Sequence, residues 1–340
     1  MRALFIGGTG TISMAITRLI AQDPEWELFL LNRGNRTAEL PANVKNIVAD
    51  INDEKAASEA LKGMEFDVVC DFICFHKEQI ERDFRLFNGK TRQFMVISSA
   101  SAYQKPLSSP YVSEATPLAN PYWKYSREKI EIEEYLIQQY RENGFPITIV
   151  RPSHTYDERS MPLGVHGKKG SYQVIKRMLE GKPVIIHGDG TSLWTMTHNS
   201  DFAKGFIGLM GNPHALGESF QITSDETLTW NQIYQSIAAA LHVELKPYYI
   251  SSAFLADVSD YDFTGSLIGD KANSAIFCNE KLKRAVPGLQ MSVRFEQGIR
   301  KTIKHILAHP ELQVEDPEFD AWCDKVIDAL EQTKKIITNG

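Results

Sequence analysis

The chain has 340 residues, 43% of them hydrophobic and 24% charged, with a net charge of −6. That is enough chain for a full core and for two domains, and no apolar run is long enough to span a bilayer. The acidic balance and the lack of a basic block disfavour nucleic acid as a partner. The four cysteines (Cys70, Cys74, Cys278, Cys323) have no metal-ligand spacing, so no metal site is expected and the thiols read as reduced and buried. The opening MRALFIGG has no signal-peptide layout, which makes a cytoplasmic location the expectation.

In chain order, the apolar run RALFI is followed by the glycine turn Gly7-Gly8-Thr9-Gly10-Thr11-Ile12 and then by the apolar-periodic stretch MAITRLIAQ. This reads as strand, turn and helix. Glycines let the backbone turn tightly and approach a ligand closely, and the helix offers N–H groups and a positive dipole end to a diphosphate. The third glycine position is Ser13, a small residue that weakens the fingerprint without breaking it. Further strands are predicted at 27–32, 44–50, 66–73, 93–99 and 147–153, and helices at 53–62, 76–88 and 122–143. Near-continuous Val/Ile/Phe strands alternating with helices imply an α/β fold, a doubly wound parallel sheet of Rossmann type. Beyond residue 153 the pattern loosens. A loop at 157–170 precedes a helix (171–180), a strand (182–190), helices at 200–211 and 229–242, and a helical end at 290–337. The expected division is a dinucleotide-binding domain at 1–153 and a smaller substrate lobe at 154–340, with room for the later chain to return strands or helices to the sheet.

Ligands of such sheets bind beyond the C-terminal strand ends. Those ends are Gly7–Gly10, Asn32–Arg33, Asp50, Phe72–Cys74, Ser98–Ser101 and Pro152–His154. Tyr125 and Lys129, at i and i+4, share one helix face. An ammonium beside a phenol favours the phenolate, so the phenol can exchange a proton with a substrate oxygen. The spacing also occurs at Tyr172 and Lys176, but Tyr125 lies between two sheet strands and Tyr172 comes after them. Amphipathic packing is the plain alternative for both pairs.

The N-terminal glycine loop, the serine-rich strand end that runs to Tyr103, the Tyr125–Lys129 pair and Arg151-Pro152 after the next strand are, as a set, similar to the extended short-chain dehydrogenase/reductases. Within these the chain resembles the NAD-dependent epimerase/dehydratase family over roughly residues 1–240. The resemblance implies an NAD(P)-dependent oxidoreductase or epimerase. In that reading Ser99 bonds the reacting oxygen, Tyr125 is the acid/base, and Lys129 also holds the nicotinamide ribose. Strand-end capping is the alternative for Ser98, Ser99 and Ser101. Cofactor contacts fall to Gly7, Gly8, Thr9, Gly10, Thr11, Ile12, Asn32, Arg33, Arg36, Asp50, Ile51, Phe72, Ser98, Lys129 and Pro152. Substrate contacts fall to Ser101, His154 and Trp194.

Departures from the family pattern narrow the chemistry. The Asp-Glu pair of the nucleotide-sugar dehydratases is Ala100-Ser101 here, so a 4,6-dehydratase is not expected. Trp194 stands where a diphosphate-gripping Arg is usual, and His154 stands where Asn is usual. A small or aromatic carbonyl compound stacked on Trp194 is therefore expected in place of a UDP- or TDP-sugar. The second strand ends in Leu31-Asn32-Arg33-Gly34-Asn35-Arg36, with two Arg and no carboxylate for the ribose hydroxyls. This favours NADP over NAD. The same LLNRG segment is similar to the chloroplast stem-loop-binding proteins, so the alternative is a non-catalytic nucleotide-binding or RNA-associated protein. The acidic charge and the complete Ser/Tyr/Lys set count against it. The helices at 76–88 and 122–143 are the expected interface of a homodimer.

Overall fold

The computed structural model describes residues 1–34 and 40–339. Two compact units form. The first is built from Met1–Thr155, Thr197–Asp225 and Phe277–Val293, the second from Tyr156–Met196, Glu226–Ile276 and Arg294–Gly340.

The main sheet of the first unit has seven strands: β1 (Arg2–Ile6), β2 (Glu27–Asn32), β3 (Lys45–Val48), β4 (Phe66–Asp71), β5 (Thr91–Ile97), β6 (Ile147–Pro152) and β7 (Glu218–Ile222). Their order is β7-β6-β5-β4-β1-β2-β3, with every neighbour parallel. β1 lies between β2 and β4, so the winding reverses at its C-terminal end and leaves a crevice for a ligand. The helices are α1 (Ser13–Ile20), α2 (Glu54–Ala60), α3 (Lys77–Phe87), α4 (Lys124–Asn143) and α5 (Asn199–Leu209). Side chains of β1 alternate between two apolar layers. Ala3 and Phe5 meet Ile16 and Ile20 of α1 and Phe202 and Phe206 of α5. Leu4 and Ile6 share the other layer with Ile80 and Phe87 of α3 and Ile132 and Leu136 of α4. Burial on both faces explains why these strands read as continuous apolar runs.

The predicted strands and helices of the first half form within a few residues of their expected limits. The division at 153/154 is crossed, because residues 197–225 and 277–293 belong to the sheet unit and carry α5 and β7. β7 covers the edge of β6, and Gln221 ties it in: its amide donates to the carbonyls of Val112 and Cys278, and its oxygen accepts the Tyr103 hydroxyl.

In the second unit, Val184–His187 pairs parallel with Pro247–Ile250, and helix Trp230–Leu241 packs on helix Phe295–Ala308. Among the described residues no helix is long and apolar enough to cross a membrane.

Candidate active site

The glycine turn between β1 and α1 is held by side chains of the helix it leads into. Ser13 Oγ accepts the Gly10 N–H and donates to the Gly7 carbonyl, both at 2.8 Å. Thr17 Oγ1 donates to the Gly8 carbonyl at 2.8 Å. Serine in place of the third glycine is thus small enough for the site and also fastens the turn. Gly7 has φ +80°, and a Cβ there would lie 2.4 Å from Ile73 Cγ2. A Cβ on Gly8 would lie 2.6 Å from Leu30 Cδ2. Gly10 differs: among the described residues a Cβ would meet nothing nearer than Ser13 Oγ at 3.5 Å. Protein crowding does not account for glycine here, whereas the close approach of a diphosphate does. The first turn of α1 carries no acidic residue to oppose that charge. These residues therefore fit a dinucleotide.

At the end of β2 the Asn32 amide donates to Asn46 Oδ1 (3.1 Å) and accepts the Gly34 N–H (2.9 Å). Arg33 is exposed, and Arg36 lies outside the described residues. Asp50 accepts the Asn52 N–H at 3.0 Å, and Ile51 is buried. The Phe72 ring packs 5.3 Å from Phe5 and 5.4 Å from Phe206, so its side chain belongs to the core beneath the glycine turn. Pro152 is buried in β6 opposite Ile222. Thr9, Thr11 and Ile12 form the half-buried outer side of the turn, and Asn199 Nδ2 of α5 donates to the Thr11 carbonyl at 3.3 Å.

Lys129 is 2% exposed, and its ammonium donates to the carbonyls of Cys74 (2.6 Å) and Ile97 (2.8 Å). The loop after β4 and the end of β5 thus converge on one cation. Burial pulls this ammonium's pKa below its ordinary value. Its Nζ stands 4.8 Å from the Phe75 ring and 5.7 Å from the Tyr125 ring. Tyr125 is half-buried, with the Trp123 ring 5.0 Å away. The competing pair is committed elsewhere: Tyr172 donates to Gln313 (3.1 Å) and Lys176 pairs with Glu315 (2.7 Å).

The serines after β5 take different places. Ser98 is fully buried, and its hydroxyl donates to Glu133. Its side chain faces an internal ion pair and not the crevice expected for a cofactor contact. Glu133 also receives Arg151 at 2.6 Å, with the Tyr103 hydroxyl beside the guanidinium at 3.3 Å. Ser99 is half-buried and lies 2.9 Å from Ser101 Oγ. Ser101 in turn accepts the hydroxyl of Ser126 at 2.8 Å. Ser126 escaped the sequence reading, although it directly follows Tyr125. Glu133 had a legible signal, standing one turn beyond Lys129 on the same helix stripe.

His154 is half-buried beyond the end of β6, next to Ser153, which bonds Thr197 at 3.1 Å. Trp194 corrects an expectation. It is 2% exposed and its ring stacks on Trp230 at 24° in the second unit, so that face is filled by the protein's own aromatic ring. The structure also gathers Asp71, Cys74 and Asp83, with ligand atoms within 4.8 Å of one another. Arg82 stands 2.7 Å from Asp83 and 3.8 Å from Asp71, a cation already in place. Burial and the neighbouring Asp71 hold the Asp83 carboxyl well above the usual carboxylate range.

The glycine turn, the strand-end loops and the Tyr/Lys helix all lie within the stretch matched by a known family, the NAD dependent epimerase/dehydratase family, over residues 3–223. The chain belongs to this family. Its relatives and structural neighbours include epimerases, dehydratases and a reductase, and the chain is an enzyme of this family's type. It is 23% identical to 2'-dehydrokanamycin reductase of Streptomyces kanamyceticus, across 77% of the chain and 73% of that protein. It is 24% identical to the chloroplast stem-loop binding protein of 41 kDa b of Arabidopsis thaliana, across 70% of the chain and 63% of that protein. Among solved structures, dTDP-glucose 4,6-dehydratase from Bacillus anthracis in complex with NAD superposes with a TM-score of 0.72 at 18% identity, covering 92% of this chain and 98% of that one. UDP-glucuronic acid 4-epimerase from Bacillus cereus, also with NAD, gives 0.71 at 18% identity, covering 90% and 96%. At such identity the likeness is one of fold.

Proposed function

We propose that this family member is an oxidoreductase or epimerase acting at a carbonyl or alcohol carbon of a small molecule through Ser99, Tyr125 and Lys129. The observation that carries the reading is Lys129, a buried ammonium fastened to two carbonyls and held 5.7 Å from the Tyr125 ring. A bound nicotinamide supplies hydride to the substrate carbon or receives it from there. Tyr125 gives its hydroxyl proton to the substrate oxygen in reduction and takes it back in oxidation. Lys129 stabilises the phenolate that the transfer leaves, and Ser99 donates a hydrogen bond to the same oxygen. Position 100 offers a methyl group and position 101 a hydroxyl, so no carboxylate pair is at hand there to eliminate water, and dehydration falls outside the proposal. NADP is favoured over NAD, because β2 ends without a carboxylate and with Arg33 exposed beside Asn32.

The test is Tyr125→Phe, which keeps the ring and removes the proton donor. The variant should fold and bind NADPH, while carbonyl reduction over a ketone and aldehyde panel falls by roughly 10²–10⁴. Tyr172→Phe is the control and should leave turnover unchanged. Unaltered turnover in Tyr125→Phe sinks the reading. A protein that binds nucleotide or RNA and turns over none of the panel supports the non-catalytic alternative. A homodimer completes the proposal, since α3 and α4 pack side by side as paired helices of two-fold dimers do. A monomeric mass by light scattering removes that part.

A further inference from the structure

Three serine hydroxyls run in line from the start of α4 to the end of β5. Ser126 Oγ donates to Ser101 Oγ at 2.8 Å, and Ser101 Oγ lies 2.9 Å from Ser99 Oγ. The chain also doubles back, since the Ser101 N–H donates to Ser99 Oγ at 3.1 Å. Ser126 and Ser101 are buried, at 0% and 3% exposure, whereas Ser99 is only half-buried. Ser101 is further fixed through its carbonyl, which accepts the Asn120 amide at 2.7 Å.

A hydroxyl has one proton to give and two lone pairs to receive with. Ser101 receives the proton of Ser126, so its own proton needs an acceptor. Among the described residues the acceptor left for it is Ser99 Oγ. The opposite arrangement, with Ser99 donating, would leave the buried Ser101 proton without a protein acceptor among the described residues. Burial therefore selects one direction, Ser126 to Ser101 to Ser99. Ser99 Oγ then receives both the N–H and the O–H of Ser101, which occupy its two lone pairs. Its own proton is left to point away from Ser101.

We infer that Ser101 and Ser126 are positioning residues that make Ser99 a one-way hydrogen-bond donor, matched to a carbonyl oxygen as the group it receives. This rests on the proposed role of Ser99 as the residue that bonds the reacting oxygen. A carbonyl oxygen has two lone pairs and no proton, so it suits a site with two donors, Ser99 and Tyr125. Ser126 reaches this role because it follows Tyr125 on α4. The helix that carries the proton donor therefore also sets the polarity of the second donor.

Neutron diffraction from deuterium-exchanged crystals of the whole protein reads the polarity directly. The expected map places the Ser126 deuteron toward Ser101, the Ser101 deuteron toward Ser99, and the Ser99 deuteron off the Ser99–Ser101 line. A Ser99 deuteron directed at Ser101 overturns the inference. In kinetics with NADPH and 9,10-phenanthrenequinone as the carbonyl probe, Ser126→Ala should lower kcat by about tenfold, a fraction of what loss of a whole oriented donor costs. KM and NADPH affinity should hold, and Ser126→Thr, which restores a hydroxyl, should recover kcat. A folded Ser126→Ala protein with native kcat also overturns the inference. Ser99→Ala separates the two claims. If it leaves reduction intact, or if the native protein reduces no probe, the catalytic reading fails while the deuteron map still decides the polarity.

Discussion

Arg151→Met probes the ion pair beneath the candidate active site. The Arg151 and Glu133 side chains are 5% and 0% exposed, and three hydrogen bonds of 2.6–3.2 Å join them. Methionine fills much of the same space and removes the cation. Among the described residues Glu133 then keeps the Ser98 hydroxyl as its hydrogen-bond partner in the interior. Breaking a buried pair from one side costs about 3–5 kcal/mol, because the remaining charge is unpaired in a medium that solvates it poorly. Against a typical domain stability of about 5–15 kcal/mol, that is roughly a fifth or more of the total. Removing both charges in Glu133→Leu/Arg151→Met should be milder. Apolar replacement of a buried pair is near neutral, and what remains is the lost partner of Ser98 and of Tyr103, at about 0.5–1.5 kcal/mol each. Urea denaturation followed by tryptophan fluorescence gives both numbers, provided the slope with denaturant is unchanged. A single variant that loses less than about 1 kcal/mol, the value of an exposed pair, refutes the argument. So does a double variant less stable than the single one.

Gly10→Ala should fold with a stability change within about 1 kcal/mol, yet bind NADPH much more weakly in a fluorescence titration, since its methyl group enters the space left for the diphosphate. Gly7→Ala should instead be destabilised outright by its left-handed backbone and the contact with Ile73; equal behaviour of the two variants contradicts the fit of the loop to a ligand. Arg33→Ala should erode a preference for NADPH over NADH, each charge-assisted phosphate bond being worth about 1.5–3 kcal/mol, and calorimetry showing an unchanged ratio removes Arg33 from the cofactor site. Asp83 keeps its proton in the folded protein above the pH at which an unfolded Asp releases it, so its contribution is full below about pH 4, the ordinary Asp pKa, and declines as pH rises from there toward its raised folded value. Asp83→Asn, which carries an amide where the acid carries its proton, should flatten that decline in urea midpoints taken from pH 5 to 8; an unchanged slope shows that Asp83 does not hold the proton.

The glycine turn and the Tyr125–Lys129 spacing were legible because each is local: a few adjacent residues, or one helical turn, specify them. The apolar strands were legible for the same reason, since burial on both faces leaves a one-dimensional mark. Other features join residues that lie far apart in the chain. The carbonyls of Cys74 and Ile97 that hold Lys129 come from two different strand ends, and no residue type announces a backbone carbonyl. Ser126 carries no signal of its own until the fold brings it to Ser101. Ser98 and Ser99 are adjacent and identical in kind, yet alternation at the strand end turns one to Glu133 and leaves the other half-exposed. Trp194 read as a substrate contact because its position follows a G-D-G turn, and only packing reveals that Trp230 already fills its face. By itself, then, the sequence determined the sheet and the family, and it singled out the residues proposed to move a proton, because periodicity and short motifs are written along the chain. Tertiary structure decided which of the candidate side chains stay half-exposed at the strand ends and which are locked in buried pairs, because these depend on the partners and the desolvation that distant segments bring together.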